Sequence, residues 1–317
     1  MQTQDYEVLS AAAEEVSAGR EAWLATVVAV HGSSPRPPGS MALFLPPQSQ
    51  VGSLSGGCVE EELAVAIASG EFSSDECRVL SYGVSAEENA RLGLPCGGHL
   101  TVLLQALTNE RDSAWLCSVR GTLQARSSVC RVVSVPDGHT RIENAQRFAP
   151  LSFAEDQLRQ YFGPRLRMLL IGCGQLAASV AQLALGMDYD VMICDPRDEA
   201  RADWRGPDVP LLPGMPDDAV REHADDPDSV VITLTHDPRI DDMALMEALE
   251  SRAAYVGALG SEKTTRARRE RLAVLGVSEA DLNRLRAPVG LDIGSKTPPE
   301  IAVSILAELT RLRRRGV

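Results

Sequence analysis

The sequence lacks the segments that mark membrane, secreted and nucleic-acid-binding proteins. No stretch of it approaches the roughly 20 apolar residues that cross a bilayer, and residues 1–5 lack the basic and apolar regions of a signal peptide. Only 31 Lys and Arg stand against 44 Asp and Glu, a formal net charge of -13. A surface for nucleic acid or anionic lipid would need clustered positive charge. We therefore expect a cytoplasmic protein with no membrane span and no nucleic-acid partner.

Motifs of several enzyme and metal-protein classes are also missing. The chain has no G-x-S-x-G elbow, no HExxH and no P-loop. Its seven cysteines form neither a CxxC pair nor a Cys/His quartet with zinc spacing, so a structural zinc site is not expected. An odd cysteine count without an export signal favours reduced thiols over a disulfide framework.

The length and composition of the chain are those of a two-domain globular protein. A chain of 317 residues exceeds the size of most single cores. Its 44% hydrophobic and 24% charged residues are ordinary values for a globular chain. Apolar patterning places an α+β domain at residues 1–148, a linking helix at 149–164 and an α/β domain at 165–317.

The first domain carries a glycine pair followed by a cysteine at a predicted helix start. Gly56 and Gly57 can adopt backbone angles that let their amides converge on an anion. Cys58 then stands in the first helical turn, where positive potential favours the thiolate, a soft metal ligand. The alternative is a buried cysteine in a tight strand-to-helix turn.

Two further segments of this domain carry candidate ligand-binding residues. Cys96, Gly97 and Gly98 repeat the combination of a thiol with a glycine pair, which lets a ligand approach the backbone closely. Arg36 lies in a proline-stiffened loop and is a candidate clamp for a phosphate or carboxylate. An exposed arginine in a structural loop is the alternative for Arg36.

The second domain opens with a strand, a G-x-G-x-x-A turn, a helix and a second strand that ends in an acid. Gly172 and Gly174 are the glycines of that turn, and Asp195 is the acid. This order predicts a Rossmann-like doubly wound unit, with Asp195 accepting a hydrogen bond from a ribose hydroxyl. Such a carboxylate favours NAD over NADP, although Arg197 opposes that preference.

Three more residues follow predicted strands or precede a predicted helix of the second domain. His236 and Ser261 are expected at the carboxyl ends of strands, where doubly wound sheets bind ligands. Capping of the next helix is the alternative role of Ser261. Lys296, with Thr297, precedes a helix start and forms a second candidate anion site.

Several of these segments together resemble the XdhC/CoxI family of accessory proteins for xanthine dehydrogenase and related molybdenum hydroxylases. The similar segments follow one another in the family's order along nearly the whole chain: 32–36, 52–60, 96–98, 235–238, 255–261 and 288–305. One departure is Gln175, where the family often has His after the second glycine.

The resemblance implies a molybdenum cofactor chaperone rather than an enzyme, with no catalytic residues. Such proteins bind molybdopterin or its dinucleotide form, protect it while a cysteine desulfurase supports its sulfuration, and deliver it to the apo-hydroxylase. It also implies a homodimer. Cys58 and Cys96 are then the candidate molybdenum contacts, and the glycine turns suit the phosphate of the cofactor.

Two other interpretations remain open from the sequence. The Gly172 to Asp195 unit is also typical of an NAD(P)-dependent oxidoreductase, with His236 as acid or base. The Rossmann domain is alternatively a docking and dimerisation module with an empty crevice.

Overall fold

The computed structural model of the chain describes residues 3–32, 36–47, 49–73, 77–85, 99–145, 150–235 and 237–315. By its internal contacts the chain divides into two compact units, Met1–Pro164 and Arg165–Val317. Within the described ranges, no helix is long and apolar enough to span a bilayer.

The first unit is built on a five-stranded antiparallel sheet in the order β3-β2-β1-β5-β4. Side chains of the central strand alternate between its two faces, and both faces are buried. Burial on both faces explains why this segment reads as a continuous apolar run. The strands are β1 Ala22–His31, β2 Met41–Leu45, β3 Ser49–Gly52, β4 Cys77–Tyr82 and β5 His99–Leu107.

Among the described residues of the unit, three helices cover this sheet: α1 Thr3–Ser17, α2 Cys58–Ala68 and α3 Asn109–Gln124. Helix α2 buries Val59 and Leu63 against the face that carries Trp23. Helices α1 and α3 pack against the opposite face. Helix α3 is absent from the elements predicted above, although its buried apolar residues recur at helical spacing: Trp115, Leu116, Val119 and Leu123.

A second antiparallel sheet, in the order β7-β6-β9-β8, completes the first unit. The linking helix predicted at 149–164 is wrong, because residues 152–162 form a hairpin of two strands of this sheet. Glu155 and Asp156 turn the chain with φ of 51° and 59°, as a two-residue hairpin loop requires. Leu158 and Phe162 then face inward with period two. The strands are β6 Ser128–Ser134, β7 Thr140–Ala145, β8 Ser152–Ala154 and β9 Gln157–Phe162.

A fully buried arginine lies in this second sheet. The Arg131 guanidinium donates to Gln160 at 3.0 Å and to Gln105, and it stacks 5.1 Å from the ring centre of Trp115. Its Nε has no hydrogen-bond partner among the described atoms. Burial lowers the pKa of Arg131 to about 10, and Cys77 and Asp112 offset part of that effect.

The second unit is a six-stranded parallel sheet in the order β12-β11-β10-β13-β14-β15. Numbered within the unit, this is 3-2-1-4-5-6, the Rossmann order. The predicted α/β class, with a Rossmann-like second half, is confirmed. The strands are β10 Arg167–Ile171, β11 Asp190–Cys194, β12 Leu211–Leu212, β13 Ser229–Thr233, β14 Tyr255–Ala258 and β15 Leu285–Arg286.

Helices pack on both faces of this sheet and enclose two apolar cores, one on each side. The order of the strands reverses between β10 and β13. In doubly wound sheets the ligand crevice is expected at such a reversal, at the carboxyl ends of the strands. The helices are α4 Gln175–Gly186, α5 Asp198–Ala202, α6 Pro216–His223, α7 Pro238–Glu250, α8 Glu262–Val274, α9 Glu279–Leu282 and α10 Pro298–Arg315.

Candidate functional site

The candidate residues of the first unit that the structure describes belong to connections at one edge of the five-stranded sheet. Because neighbouring strands are antiparallel, β1 ends, β2 begins, β3 ends and β5 begins at this edge. Arg36 lies between β1 and β2, and Gly56, Gly57 and Cys58 follow β3. Cys96, Gly97 and Gly98, which directly precede β5 in sequence, lie outside the described residues.

The turn after β3, residues Ser53–Gly57, encloses the carboxylate of Glu60. Glu60 Oε1 accepts from the amides of Leu54, Ser55 and Gly56 at 2.8, 2.8 and 2.9 Å and from Ser53 Oγ at 2.9 Å. Its Oε2 accepts from Gly57 N at 3.1 Å and from Ser55 Oγ. Glu60 is only 4% exposed. The turn is therefore built around an internal carboxylate.

The hydrogen bonds to Glu60 also set its charge state. Burial by itself would raise the pKa of this carboxyl, but donors from Ser55, Gly56 and Leu54 outweigh burial and lower the pKa to about 2. Glu60 is thus a carboxylate at neutral pH, and its charge satisfies amides that would otherwise be orphaned at the start of α2.

This arrangement corrects the predicted anion site at Gly56 and Gly57. Their amides do converge, and Gly56 has the left-handed φ of 91° that the turn needs. The anion they bind is Glu60 rather than a ligand phosphate. Cys58 begins α2 as predicted, but its side chain lies outside the described residues.

In the second unit, the glycine turn after β10 leaves an open helix start. Gly172 has a φ of 112°, and a Cβ there would lie 2.8 Å from Thr235 Cγ2, so the close approach of the two strand ends requires glycine. A Cβ at Gly174 would meet nothing within 4 Å. Gly174 caps α4 without a side chain, and the first turn has no acidic residue. These features suit a phosphate at the start of α4.

Asp195, at the end of β11, is already saturated with protein donors. Its carboxylate accepts from Cys173 N at 2.9 Å and from Arg197 Nε and Nη2 at 2.9 and 2.8 Å. Asp195 is 0% exposed, whereas the Arg197 side chain is 52% exposed. Burial raises the pKa of Asp195, but the Arg197 and Cys173 bonds prevail and lower it. The prediction that Asp195 accepts from a ribose hydroxyl is therefore corrected, because Arg197 covers it.

The thiol of Cys173, within the glycine turn, is held in its neutral form. Burial is the main cause of its raised pKa, about 11, and the neighbouring Asp195 charge adds to it. This residue therefore lacks the thiolate character that soft-metal binding needs at neutral pH.

A buried charge network that is not among the predicted site residues supports the start of the loop after β13. Asp241 accepts from Thr235 Oγ1 at 2.7 Å and from Arg268 Nη2 at 3.0 Å. Burial raises the pKa of Asp241 to about 6, and Thr235 and Arg268 only partly offset it. His236, the predicted site residue of this loop, lies outside the described residues. Asp241 falls in the first turn of α7, which is the only sequence signal for it.

Two other predicted site residues, Ser261 and Lys296, take part in hydrogen bonds at helix starts. Ser261 Oγ accepts from Thr264 N at 3.2 Å, which is the capping role given above as its alternative. The amides of Lys296 and Thr297 both donate to Glu300 at 2.9 Å. The predicted anion site at Lys296 is thus occupied by a carboxylate of the chain itself.

The loop that precedes α10 is held by another buried carboxylate, that of Glu308. Glu308 accepts from Tyr255 Oη and from Gly290 N, both at 2.8 Å. Burial and the nearby Glu308 charge raise the pKa of Tyr255, so its hydroxyl stays a donor. Gly290 cannot be replaced easily, because a Cβ there would lie 2.5 Å from Ser304 Oγ.

Comparison with known proteins gives relatives that extend along nearly the whole chain. The Molybdenum cofactor insertion chaperone PaoD of Escherichia coli (strain K12) is 29% identical over 315 residues, 96% of this chain and 88% of that protein. A probable xanthine dehydrogenase subunit of Bacillus subtilis (strain 168) is 28% identical over 320 residues, 93% of this chain and 94% of that protein.

A solved structure of similar extent is that of a xanthine dehydrogenase from Bacillus halodurans. It matches with a TM-score of 0.76 at 26% sequence identity and covers 98% of this chain and 96% of that chain. The two chains therefore share both units.

Fold and site together define a class of two-unit proteins, in which a glycine-turn α+β unit precedes a Rossmann unit. Two family models match the corresponding regions: "XdhC and CoxI family" at residues 16–83 and "XdhC Rossmann domain" at residues 168–309. The chain belongs to the XdhC and CoxI family.

Proposed function

We propose that this protein is a molybdenum cofactor chaperone of the cytoplasm. It binds the cofactor, protects it while the cofactor is sulfurated, and delivers it to xanthine dehydrogenase or a related molybdenum hydroxylase. The observation that carries the proposal is the relation to the insertion chaperone PaoD, which spans 96% of this chain and so includes both units. The name of the Bacillus subtilis relative points to the same class of target enzyme.

Each unit, taken by itself, offers a donor set that suits one group of this ligand. Molybdopterin carries a phosphate, or a pyrophosphate in its dinucleotide form. The start of α4 fits such a group, because Gly174 presents an open, uncapped helix end. In the first unit the amides are taken by Glu60, so a phosphate does not fit there and the contribution left to this turn is the Cys58 thiol.

In this proposal the cofactor supplies the molybdenum centre, and the protein holds and shields it. Gly174 lets the phosphate approach the start of α4, while Gly172, whose own amide donates to Cys194 O, forms the tight turn before it. Arg197, bonded to Asp195 next to this turn, offers a half-exposed guanidinium. Cys58 and Cys96 are the proposed soft ligands toward molybdenum. Arg36, on the same sheet edge as Cys58, is the proposed clamp for an acidic group of the ligand.

The proposed partners are the apo-hydroxylase, a cysteine desulfurase and a second copy of the chain. We include a cysteine desulfurase because sulfuration of the cofactor needs a sulfur donor. The homodimer rests on family resemblance and on the prevalence of two-fold dimers among oligomers. A light-scattering mass of one chain at micromolar concentration would remove the dimer from the proposal.

The decisive experiment is to purify the protein from cells that make the molybdenum cofactor and to analyse it for molybdenum and pterin. We expect both in near-equimolar amounts, and neither in protein from a strain blocked in cofactor synthesis. Protein from competent cells that carries no pterin, and that fails to activate apo-hydroxylase with added cofactor, would refute the chaperone function.

A dinucleotide in the Rossmann crevice is the second candidate ligand, and the structure changes the preference expected for it. Since Arg197 covers Asp195, we expect NADP to bind at least as tightly as NAD. In Arg197→Gln the freed carboxylate should again favour the 2′-hydroxyl of NAD. Calorimetric titration of both proteins with both dinucleotides tests this. Tighter NAD binding by the unchanged protein would contradict it.

Turnover of a nicotinamide dinucleotide distinguishes the chaperone hypothesis from the oxidoreductase hypothesis. An oxidoreductase would turn over the nicotinamide with some substrate, whereas a chaperone would not. Nicotinamide turnover over a panel of aldehydes and N-heterocycles provides the measurement.

A further inference from the structure

Two histidines face each other at the candidate-site edge of the five-stranded sheet. His31 is the last residue of β1 and His99 is the first of β5, and they are direct partners in the antiparallel register. Their ring centres are 5.9 Å apart, with the ring planes inclined by 76°. His31 is exposed and His99 is half-buried, so a small solute can reach the space between the rings.

The pair lies on the opposite face of the sheet from α2. Val30 and Leu100, the neighbours of the two histidines, pack into the core beneath α2. Because side chains alternate along a strand, His31 and His99 project to the other face. The proposed chaperone function does not use these two histidines.

The spacing of the rings matches that of two imidazoles on one metal ion. Metal–nitrogen bonds of about 2.0–2.1 Å place two ring centres about 5–6 Å apart on a shared ion. The terminal torsion of histidine is broad, so small ring rotations suffice to direct both nitrogens inward. Imidazole selects borderline divalent ions such as Zn²⁺, Cu²⁺ and Ni²⁺ over Mg²⁺.

We propose that His31 and His99 form a two-ligand site for a borderline divalent metal ion of the Zn²⁺ class, with water completing the coordination. Among the described residues no third His, Cys, Asp or Glu joins them in a metal-binding group. The site is therefore an open one with exchangeable positions, unlike a closed structural zinc site. This inference does not depend on the chaperone function.

The test is calorimetric titration of the tag-free, full-length protein with Zn²⁺, and with Mg²⁺ as the hard-cation control. His31→Ala and His99→Ala should each weaken the Zn²⁺ site by at least about tenfold, since losing even an outer-shell partner costs about 10- to 100-fold. His139→Ala is the matched control, because His139 is an exposed histidine of the same unit, and it should bind as the unchanged protein does.

Nitrogen-15 spectra of the histidine rings provide a second measurement that needs no variant. Zn²⁺ should shift the ring nitrogens of His31 and His99 together and leave those of His139 in place. Equal Zn²⁺ affinity in the unchanged protein and both alanine variants, or ring signals of His31 and His99 that do not move, would overturn the proposal and leave edge-to-face packing as the role of the pair. Thermal midpoints of the variants verify that they are folded.

Discussion

Replacing Glu60 by alanine should cost about 3 kcal/mol of unfolding free energy and abolish cofactor delivery, because one buried carboxylate holds the whole Ser53–Gly57 turn. Removing it leaves four backbone amides and two serine hydroxyls without their acceptor. Charge-assisted hydrogen bonds of this kind are among the strongest in proteins. The turn also fixes where α2 and its first residue Cys58 begin.

The neighbouring glutamate supplies a matched control. Glu61 lies one residue further along α2 and is exposed, so Glu61→Ala should change the unfolding free energy by no more than about 0.5 kcal/mol. Glu60→Gln keeps the shape of the side chain but replaces one acceptor oxygen by an amide that faces other donors. This variant should therefore lose most of the unfolding free energy that Glu60 contributes. Thermal and denaturant unfolding of the three variants gives the comparison, and equal stabilities for Glu60→Ala and Glu61→Ala would refute the role of Glu60.

The contribution of Glu60 to the unfolding free energy should depend on pH, which unfolding experiments at acidic pH can measure. The folded-state pKa of Glu60 is about 2, below the ordinary value of 4.5. A group with a lowered folded-state pKa stabilises the protein above its unfolded-state pKa and loses that contribution as pH falls. The difference in stability between the unchanged protein and Glu60→Gln should therefore shrink from about pH 4.5 toward pH 2.

The Rossmann unit could be predicted from the sequence because its signals are local and agree with one another. A buried parallel strand reads as an apolar run, the turn needs glycine at Gly172, and the next strand ends in an acid at Asp195. The hairpin over residues 152–162 was mistaken for a helix because its turn, Glu155–Asp156, lacks the usual Asn-Gly or Asp-Gly pair.

The sequence did not predict that the two anion sites are filled by carboxylates of the chain itself, namely Glu60 and Glu300. Glu60 follows Gly57 by three residues and Glu300 follows Thr297 by three, the spacing at which a side chain folds back on its own helix start. That spacing is a signal that sequence reasoning can use. The pairing of Asp195 with Arg197, by contrast, follows no such rule and required the structure.

The burial of Arg131 could not be predicted from the residues next to it in the sequence. Its partners come from three other strands, namely Thr26, Gln105 and Gln160, and they meet only when the two sheets of the first unit pack together. The sequence around Arg131 reads as an ordinary β-strand with one charged residue, which would be expected to face solvent. A charged residue in a strand is therefore no sign of an exposed face when a second sheet can pack against that face and supply polar partners.

Replacing Cys58 by alanine should remove cofactor delivery while leaving the fold nearly intact. The change deletes one sulfur atom, so the expected loss of unfolding free energy is at most about 1 kcal/mol. The functional loss should be severe, because no side chain between Ser55 and Glu62 can replace a thiolate toward molybdenum. Stability and function should thus separate in Cys58→Ala, whereas Glu60→Ala should lose both.

The measurement is activation of apo xanthine dehydrogenase by each purified variant, recorded beside its thermal midpoint. Cys117→Ala is the control, because Cys117 is an exposed free cysteine of the same unit on α3, and this variant should activate normally. Cys96→Ala should resemble Cys58→Ala if the two thiols contact one molybdenum centre, since loss of either ligand leaves an incomplete site. Activation by Cys58→Ala at the level of the unchanged protein would show instead that Cys58 is only a helix-start residue, and the chaperone function would then have to rest on the Rossmann crevice.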